Sequence, residues 1–129
     1  EFDELKRLRR ELGWRGQLVQ LLDDSAEHKQ LRTRAGLEKI ATVANGIGPG
    51  LAHLVTVTSE GVPLTTSLVS DAHALKLVVH PYTLRRDELP RFASSWEELH
   101  SLLFDKFGAD GAFTDFPDLT LKWCAEKRQ

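Results

Sequence analysis

Short apolar runs recur along this chain with helix-length amphipathic stripes between them, and that alternation is what most limits the folds open to it. The runs are 17–22 (QLVQLL), 46–50 (GIGPG), 77–80 (LVVH) and 111–114 (GAFT). Each is too short for a helix, and each gives way to a polar or turn-rich segment, as expected of buried parallel strands. The stripes have helical spacing: Leu5, Leu8 and Leu12 within 3–12, stopped by Gly13; Leu37, Ile40, Ala41 and Ala44 within 36–44; then Leu64, Leu68, Ala72 and Leu75. The charges of 3–12 read as a solvated face. Ser95 followed by Glu98 is a capping box opening a helix with Trp96, Leu99, Leu102, Leu103 and Phe107, and Gly108 ends it. A last helix has Pro117 near its first turn, and 23–34 reads as a polar connection. Strand and helix alternate, so the chain is α/β, with about four parallel strands, and it contains no linker or low-complexity tract.

Four parallel strands with helices on one face cannot close on themselves; they leave strand edges and inward side chains bare. The expectation is therefore one partial domain over 1–129 that meets a partner surface, either by self-association or by pairing with a missing N-terminal half. With 41% hydrophobic and 28% charged residues and a formal charge of -2, nothing favours nucleic acid or an anionic membrane as partner. No apolar stretch approaches the roughly 20 residues that span a bilayer, and Glu1-Phe2-Asp3-Glu4 lacks the basic-then-apolar signal pattern. The single cysteine, Cys124, has no internal partner and reads as a packed thiol.

Polar residues collect where the later runs end. His80-Pro81-Tyr82-Thr83-Leu84-Arg85 follows one, and Thr114-Asp115-Phe116-Pro117-Asp118 follows the next. In α/β proteins that edge of the sheet is where ligands are held. Taken with Asn45-Gly46-Ile47-Gly48-Pro49-Gly50, these stretches resemble, in order and at helix-sized spacing, the sixth, seventh and eighth strand ends of the glycerophosphodiester phosphodiesterase family. The periplasmic glycerophosphoryl diester type is the nearest in kind. In that comparison 17–22 is similar to the fifth strand, and 1–12 to the end of the fourth and its helix. The resemblance implies the C-terminal half of a (βα)8 barrel, whose whole takes about 250 residues.

What the resemblance implies about activity is hydrolysis of glycerophosphodiesters to glycerol 3-phosphate and an alcohol. A divalent cation, calcium or magnesium, is held by carboxylates, and two histidines act as acid and base. The family's His-Arg-Gly, Glu-x-Asp and Glu-x-Lys signatures do not occur here in their proper context. Glu1-Phe2-Asp3 has the spelling of one, but it leads into a helix. The expectation is thus an enzyme fragment whose metal ligands and catalytic histidines lie outside this chain. The alternative is a non-catalytic half-barrel binding or assembly module, and a third reading is another barrel phosphodiesterase, of phospholipase type. A periplasmic location is implied, a cytoplasmic one stays open, and any signal peptide would lie outside 1–129.

Five residues are candidates for the substrate end of the pocket. His80 and Tyr82 alternate about Val79 and Pro81, so both can face the barrel lumen. Tyr82 stands where many relatives have an aromatic residue, as a wall for a glycerol or alcohol group or as a packed barrel-mouth tyrosine. His80 reads as a core histidine or an acid or base. Arg85 could contact phosphate or pair with Asp87 or Glu88, and Asp115 reads as a helix cap first and a pocket residue second. Gln20 is expected to point inward from its strand. His28, His53, His73 and His100 have no ligand spacing and no assigned role.

Overall fold

The structure is a computed structural model and describes residues 2–129. Helix α1 (Phe2–Arg10) leads to strand β1 (Val19–Leu22), helices α2 (Ala26–Leu31) and α3 (Arg34–Ala41), and strand β2 (Gly46–Pro49). Then come a short helix α4 (Leu51–Leu54), a hairpin of β3 (Val55–Val57) and β4 (Pro63–Thr65), helix α5 (Leu68–Ala74) and strand β5 (Val78–Val79). Helix α6 (Trp96–His100) runs straight into a π-helical segment (Ser101–Lys106), and α7 (Pro117–Lys127) closes the order. The expected α/β class with parallel strands holds.

The main sheet has the order β1-β2-β5, all parallel. Its ladder continues past the named strands through single parallel bridges, Gly50 with Tyr82 and Leu84 with Thr114. The expected fourth strand at 111–114 exists only in this reduced form. Phe113 N donates to Pro81 O at 2.9 Å and Leu84 N to Phe113 O at 2.9 Å. Pro81 brings no N–H of its own, which thins the ladder there.

Register assigns the faces. Gln20 stands opposite Ile47, and Ile47 opposite Val79, so these share one face with Leu22, and all are at most 3% exposed. Leu37, Ile40, Ala72, Leu99 and Leu103 are buried in the same core. On the other face, Val19 stands opposite Gly46 and Gly46 opposite Val78, and Leu21 stands opposite Gly48. Leu21 is 50% exposed, and Phe113 and Val78 are exposed as well. Gly48 is small because that face is crowded locally: a Cβ there would lie 2.7 Å from Leu21 Cδ2 and 3.2 Å from Phe113 Cε2.

Three local expectations are corrected. The segment 23–34 holds a helix, α2, because Ser25 caps it by accepting the His28 N–H at 3.2 Å and because His28 and Leu31 are buried. Leu64 belongs to β4 and is not the first residue of a helical stripe; its spacing to Leu68 is coincidental, and the β3–β4 hairpin turns through Gly61 at φ 84. The charges of α1 are not all solvated. Arg9 reaches under the sheet to Val43 O at 2.8 Å and Asn45 Oδ1 at 3.0 Å, and Asn45 Oδ1 also accepts the Leu18 N–H at 3.0 Å. One guanidinium thereby ties α1 to the entrances of β1 and β2.

The capping box at α6 is displaced by one residue on its return side. Ser95 Oγ accepts the Glu98 N–H at 3.0 Å as expected, but the Glu98 carboxylate takes the N–H and hydroxyl of Ser94. Gly108, at φ 81, ends the π-helical segment where the sequence placed the stop.

Candidate functional site

The strand ends bring Tyr82, Thr83, Leu21 and Phe113 around a cleft of about 260 Å³ at the mouth of the open sheet face. Tyr82 is fixed by its backbone and its hydroxyl: its N–H donates to Pro49 O at 3.0 Å and its hydroxyl donates to Leu22 O at 3.1 Å. Burial, with the nearby Asp23 and Asp24 carboxylates adding to it, raises the phenol above its ordinary value of 10.0. It is a neutral donor at physiological pH, and its ring stands as one wall of the cleft.

His80 lies on the same side of the sheet as Tyr82. Its N–H donates to Ile47 O at 2.9 Å, and its ring meets Phe113 edge-on with centroids 6.4 Å apart. Gly111 admits the imidazole; a Cβ at that position would come within 2.9 Å of the ring.

Arg85 is engaged by carboxylates on three sides. Asp87 receives two of its N–H groups at 3.2 and 2.7 Å, Glu88 lies at 3.5 Å and Asp115 at 3.6 Å. The Asp87 hydrogen bond is the main cause of its raised pKa. Asp115 does not cap α7. The residue at the cap is Phe116, and Thr114 Oγ1 accepts the Phe116 N–H at 3.0 Å while donating to Leu84 O at 3.0 Å. With Pro117 in the first turn, the helix has one fewer N–H to satisfy, and Asp115 is left to Arg85.

Gln20 does not point inward. Strand parity puts it on the helix-covered face, where its Nε2 donates to Leu21 O at 2.7 Å and its Oε1 is buried without a partner. It is a packing position at the β1 edge, away from the mouth cleft.

The structure adds residues for which the sequence offered no spacing signal. Asp23 and Asp24 follow β1 directly, and two histidines come to them: His28 Nδ1 lies 2.7 Å from Asp23 Oδ1, and His53 Nε2 lies 2.9 Å from Asp24 Oδ1. The Asp23 N–H also donates to His28 Nδ1 at 3.0 Å, so in the neutral ring Nδ1 is an acceptor. Hydrogen bonds from Ser25 hold the Asp23 carboxyl below its ordinary value. An acidic pair at the very end of a strand run was the one clue available. Asp3, from the Glu-x-Asp spelling, sits in the first turn of α1 paired with Lys6; Glu1 lies outside the described residues. Among the described residues no three His, Cys, Asp or Glu side chains converge on a point that could hold a metal ion.

Parallel strands covered by helices on one face, with polar groups at their C-terminal ends, define an α/β protein. Comparison with known proteins narrows the class. The model of the glycerophosphoryl diester phosphodiesterase family matches residues 1–119, and the chain belongs to that family. It is 32% identical over 145 residues to a glycerophosphodiester phosphodiesterase of Treponema pallidum, covering 95% of this chain and 41% of that protein. A Haemophilus influenzae protein of the same name is 33% identical over 141 residues, covering 92% of this chain and 38% of its own. An Arabidopsis thaliana glycerophosphodiester phosphodiesterase matches at 32% over 97 residues. The chain thus spans about two fifths of the length of the first two relatives.

Proposed function

We propose that this chain is the C-terminal half of a (βα)8 barrel, one partial domain over 1–129, in an enzyme that hydrolyses glycerophosphodiesters to glycerol 3-phosphate and an alcohol. The observation that carries this reading is the open face of the parallel sheet, where Leu21, Tyr82, Thr83 and Phe113 form an apolar cleft at the strand ends. Barrel interiors are packed with side chains from all strands, so a face of this kind is complemented by the strands of the other half. A divalent cation, calcium or magnesium, would supply charge neutralisation at the phosphate, with ligands from outside 1–129. Within this chain Tyr82 walls the alcohol or glycerol group, and its neutral hydroxyl holds the β1 end in place. His80 lines the lumen beside Phe113. Arg85 would meet phosphate only by exchanging its Asp87 partner for it, so its role there is secondary to the ion-pair cluster.

The periplasm is the compartment this reading implies, and no helix among the described residues is long and apolar enough to cross a membrane. The test is kinetic. In the full protein Tyr82→Ala should raise KM by about tenfold to a few hundredfold, the loss of about 1–3 kcal/mol of binding, with a smaller fall in kcat. The 129-residue chain alone should release no glycerol 3-phosphate from glycerophosphocholine with calcium or magnesium present. Metal-dependent turnover by the chain alone, or a kcat collapse in Tyr82→Ala at unchanged KM, overturns the assignment.

A further inference from the structure

Strand β1 is an edge strand, because the sheet order is β1-β2-β5. Gly46 N donates to Leu18 O at 3.2 Å and Gly50 N to Leu22 O at 3.2 Å, so the backbone groups of Leu18, Gln20 and Leu22 point to β2 and those of Val19, Leu21 and Asp23 point to the free edge. A bare edge is a template for another strand. Two side chains already stand along this one. Gln20 Nε2 donates to Leu21 O at 2.7 Å, and the Asp23 N–H donates to His28 Nδ1 at 3.0 Å.

This arrangement satisfies backbone groups and leaves side-chain atoms idle. Gln20 is 3% exposed and His28 7% exposed, yet Gln20 Oε1 and His28 Nε2 have no partner among the described residues, although buried polar atoms are normally paired. With Nδ1 accepting, the neutral ring carries its proton on Nε2, so one orphan is an acceptor and the other a donor. Both residues line a gap of about 300 Å³ together with Leu5 of α1 and Val19, Leu21 and Asp23 of the edge.

We propose that Gln20 and His28 are a removable guard on the free edge of β1, and that the strand displacing them is an extended, parallel segment leading into α1. The crossovers from β1 to β2 and from β2 to β5 step across the sheet in one direction with their helices in one core, and α1 enters that core through Phe2. A right-handed crossover through α1 therefore starts one step back, at the free edge. This chain covers 41% and 38% of the Treponema and Haemophilus relatives, so length enough for further strands lies outside the matched stretch. An incoming N–H takes Leu21 O and an incoming C=O takes the Asp23 N–H; the Gln20 amide and the His28 ring are then free to turn and pair their orphan atoms. The proposal rests on the half-barrel reading and adds which edge is used and what must leave it.

Amide exchange, followed by NMR in the 129-residue chain and in the full protein, tests the pairing. The Val19 and Leu21 N–H groups should exchange freely in the short chain and about tenfold or more slowly in the full protein, where the Gln20 side-chain amide signals should also move. In the short chain, Gln20→Leu uncovers Leu21 O and removes a buried orphan. It should raise the dimer fraction in sedimentation severalfold with no loss of thermal stability. Adding Val19→Pro deletes an edge N–H, leaves the β2 side intact and should reverse the association. Edge amides unprotected in the full protein, Gln20 amide signals that stay in place, or a Gln20→Leu chain that loses stability without gaining association would each overturn the proposal. Release of glycerol 3-phosphate by the same full protein is scored separately: turnover with unprotected edge amides removes the guard and keeps the hydrolase reading, and protected amides without turnover do the reverse.

Discussion

The two faces of the parallel sheet come from alternate residues of the same strands, yet they live in different solvents. Leu22, Ile47 and Val79 are fully buried under the helices, while one residue away Leu21 is half exposed and Val78 is exposed with it. Chemically the two sets are the same kind of side chain. The covered face contributes stability to this chain by itself; the open face contributes only when something is laid against it. An apolar strand residue is therefore not evidence of a core until the surface laid against it is known.

The largest effect separates the faces directly. Leu22→Ala should lower unfolding free energy by about 2–5 kcal/mol, the usual cost of truncating a packed leucine, whereas Leu21→Ala should change it by much less, in urea unfolding of each variant. Equal losses at the two positions would mean that Leu21 is buried in solution by self-association. Gly48→Ala tests crowding on the open face. Its new methyl group would push on Leu21 and Phe113 and should cost about 1–3 kcal/mol, or less if those exposed side chains swing away. Thermal unfolding of the single variant and of its combination with Leu21→Ala tells these apart, because the second change should relieve the first.

Smaller effects belong to single polar groups. Tyr82→Phe removes the hydroxyl bond to Leu22 O and should cost about 0.5–1.5 kcal/mol while keeping the mouth's shape. His100, buried in the covered layer, tests pH. Its Nδ1–H donates to Trp96 O at 2.8 Å, its Nε2 accepts from Thr120 at 3.0 Å, and desolvation lowers its pKa below the ordinary 6.5, against the opposing pull of the Trp96 carbonyl and Glu97. The unfolded chain then takes up the proton first on acidification, so this contribution to stability is complete above about pH 6.5 and is lost as pH falls toward the folded-state value. Unfolding curves between pH 7.5 and 5, compared with those of His100→Gln, should show a steeper acid loss in the natural chain; parallel curves would remove His100 from the account.

Much of this was written in the chain. The runs 17–22, 46–50 and 77–80 contain β1, β2 and β5, and Leu37 with Ile40 marked α3, because a parallel strand or a core-facing helix must be apolar to be buried at all. The stop at Gly108 and the helix start at Pro117 were legible because φ 81 and a missing N–H are properties of single residues. The strand ends with Tyr82 and His80 followed from the same punctuation.

Facing direction was not legible in β1. The run Leu18-Val19-Gln20-Leu21-Leu22 has no apolar period of two, so nothing local says that Gln20 goes to the helices and Leu21 to the open face. Only pairing with β2 and β5 decides that, since registry with Ile47 and Gly48 is a property of three segments about thirty residues apart. The same holds for Asp115, which turns to Arg85 while Phe116 takes the cap position of α7, and for His28 and His53, which reach Asp23 and Asp24 only through the fold. Residue type determined what could be buried, stopped or charged; the tertiary arrangement decided which atoms meet, because hydrogen bonds and ion pairs act over a few ångströms and sequence separation carries no such distance.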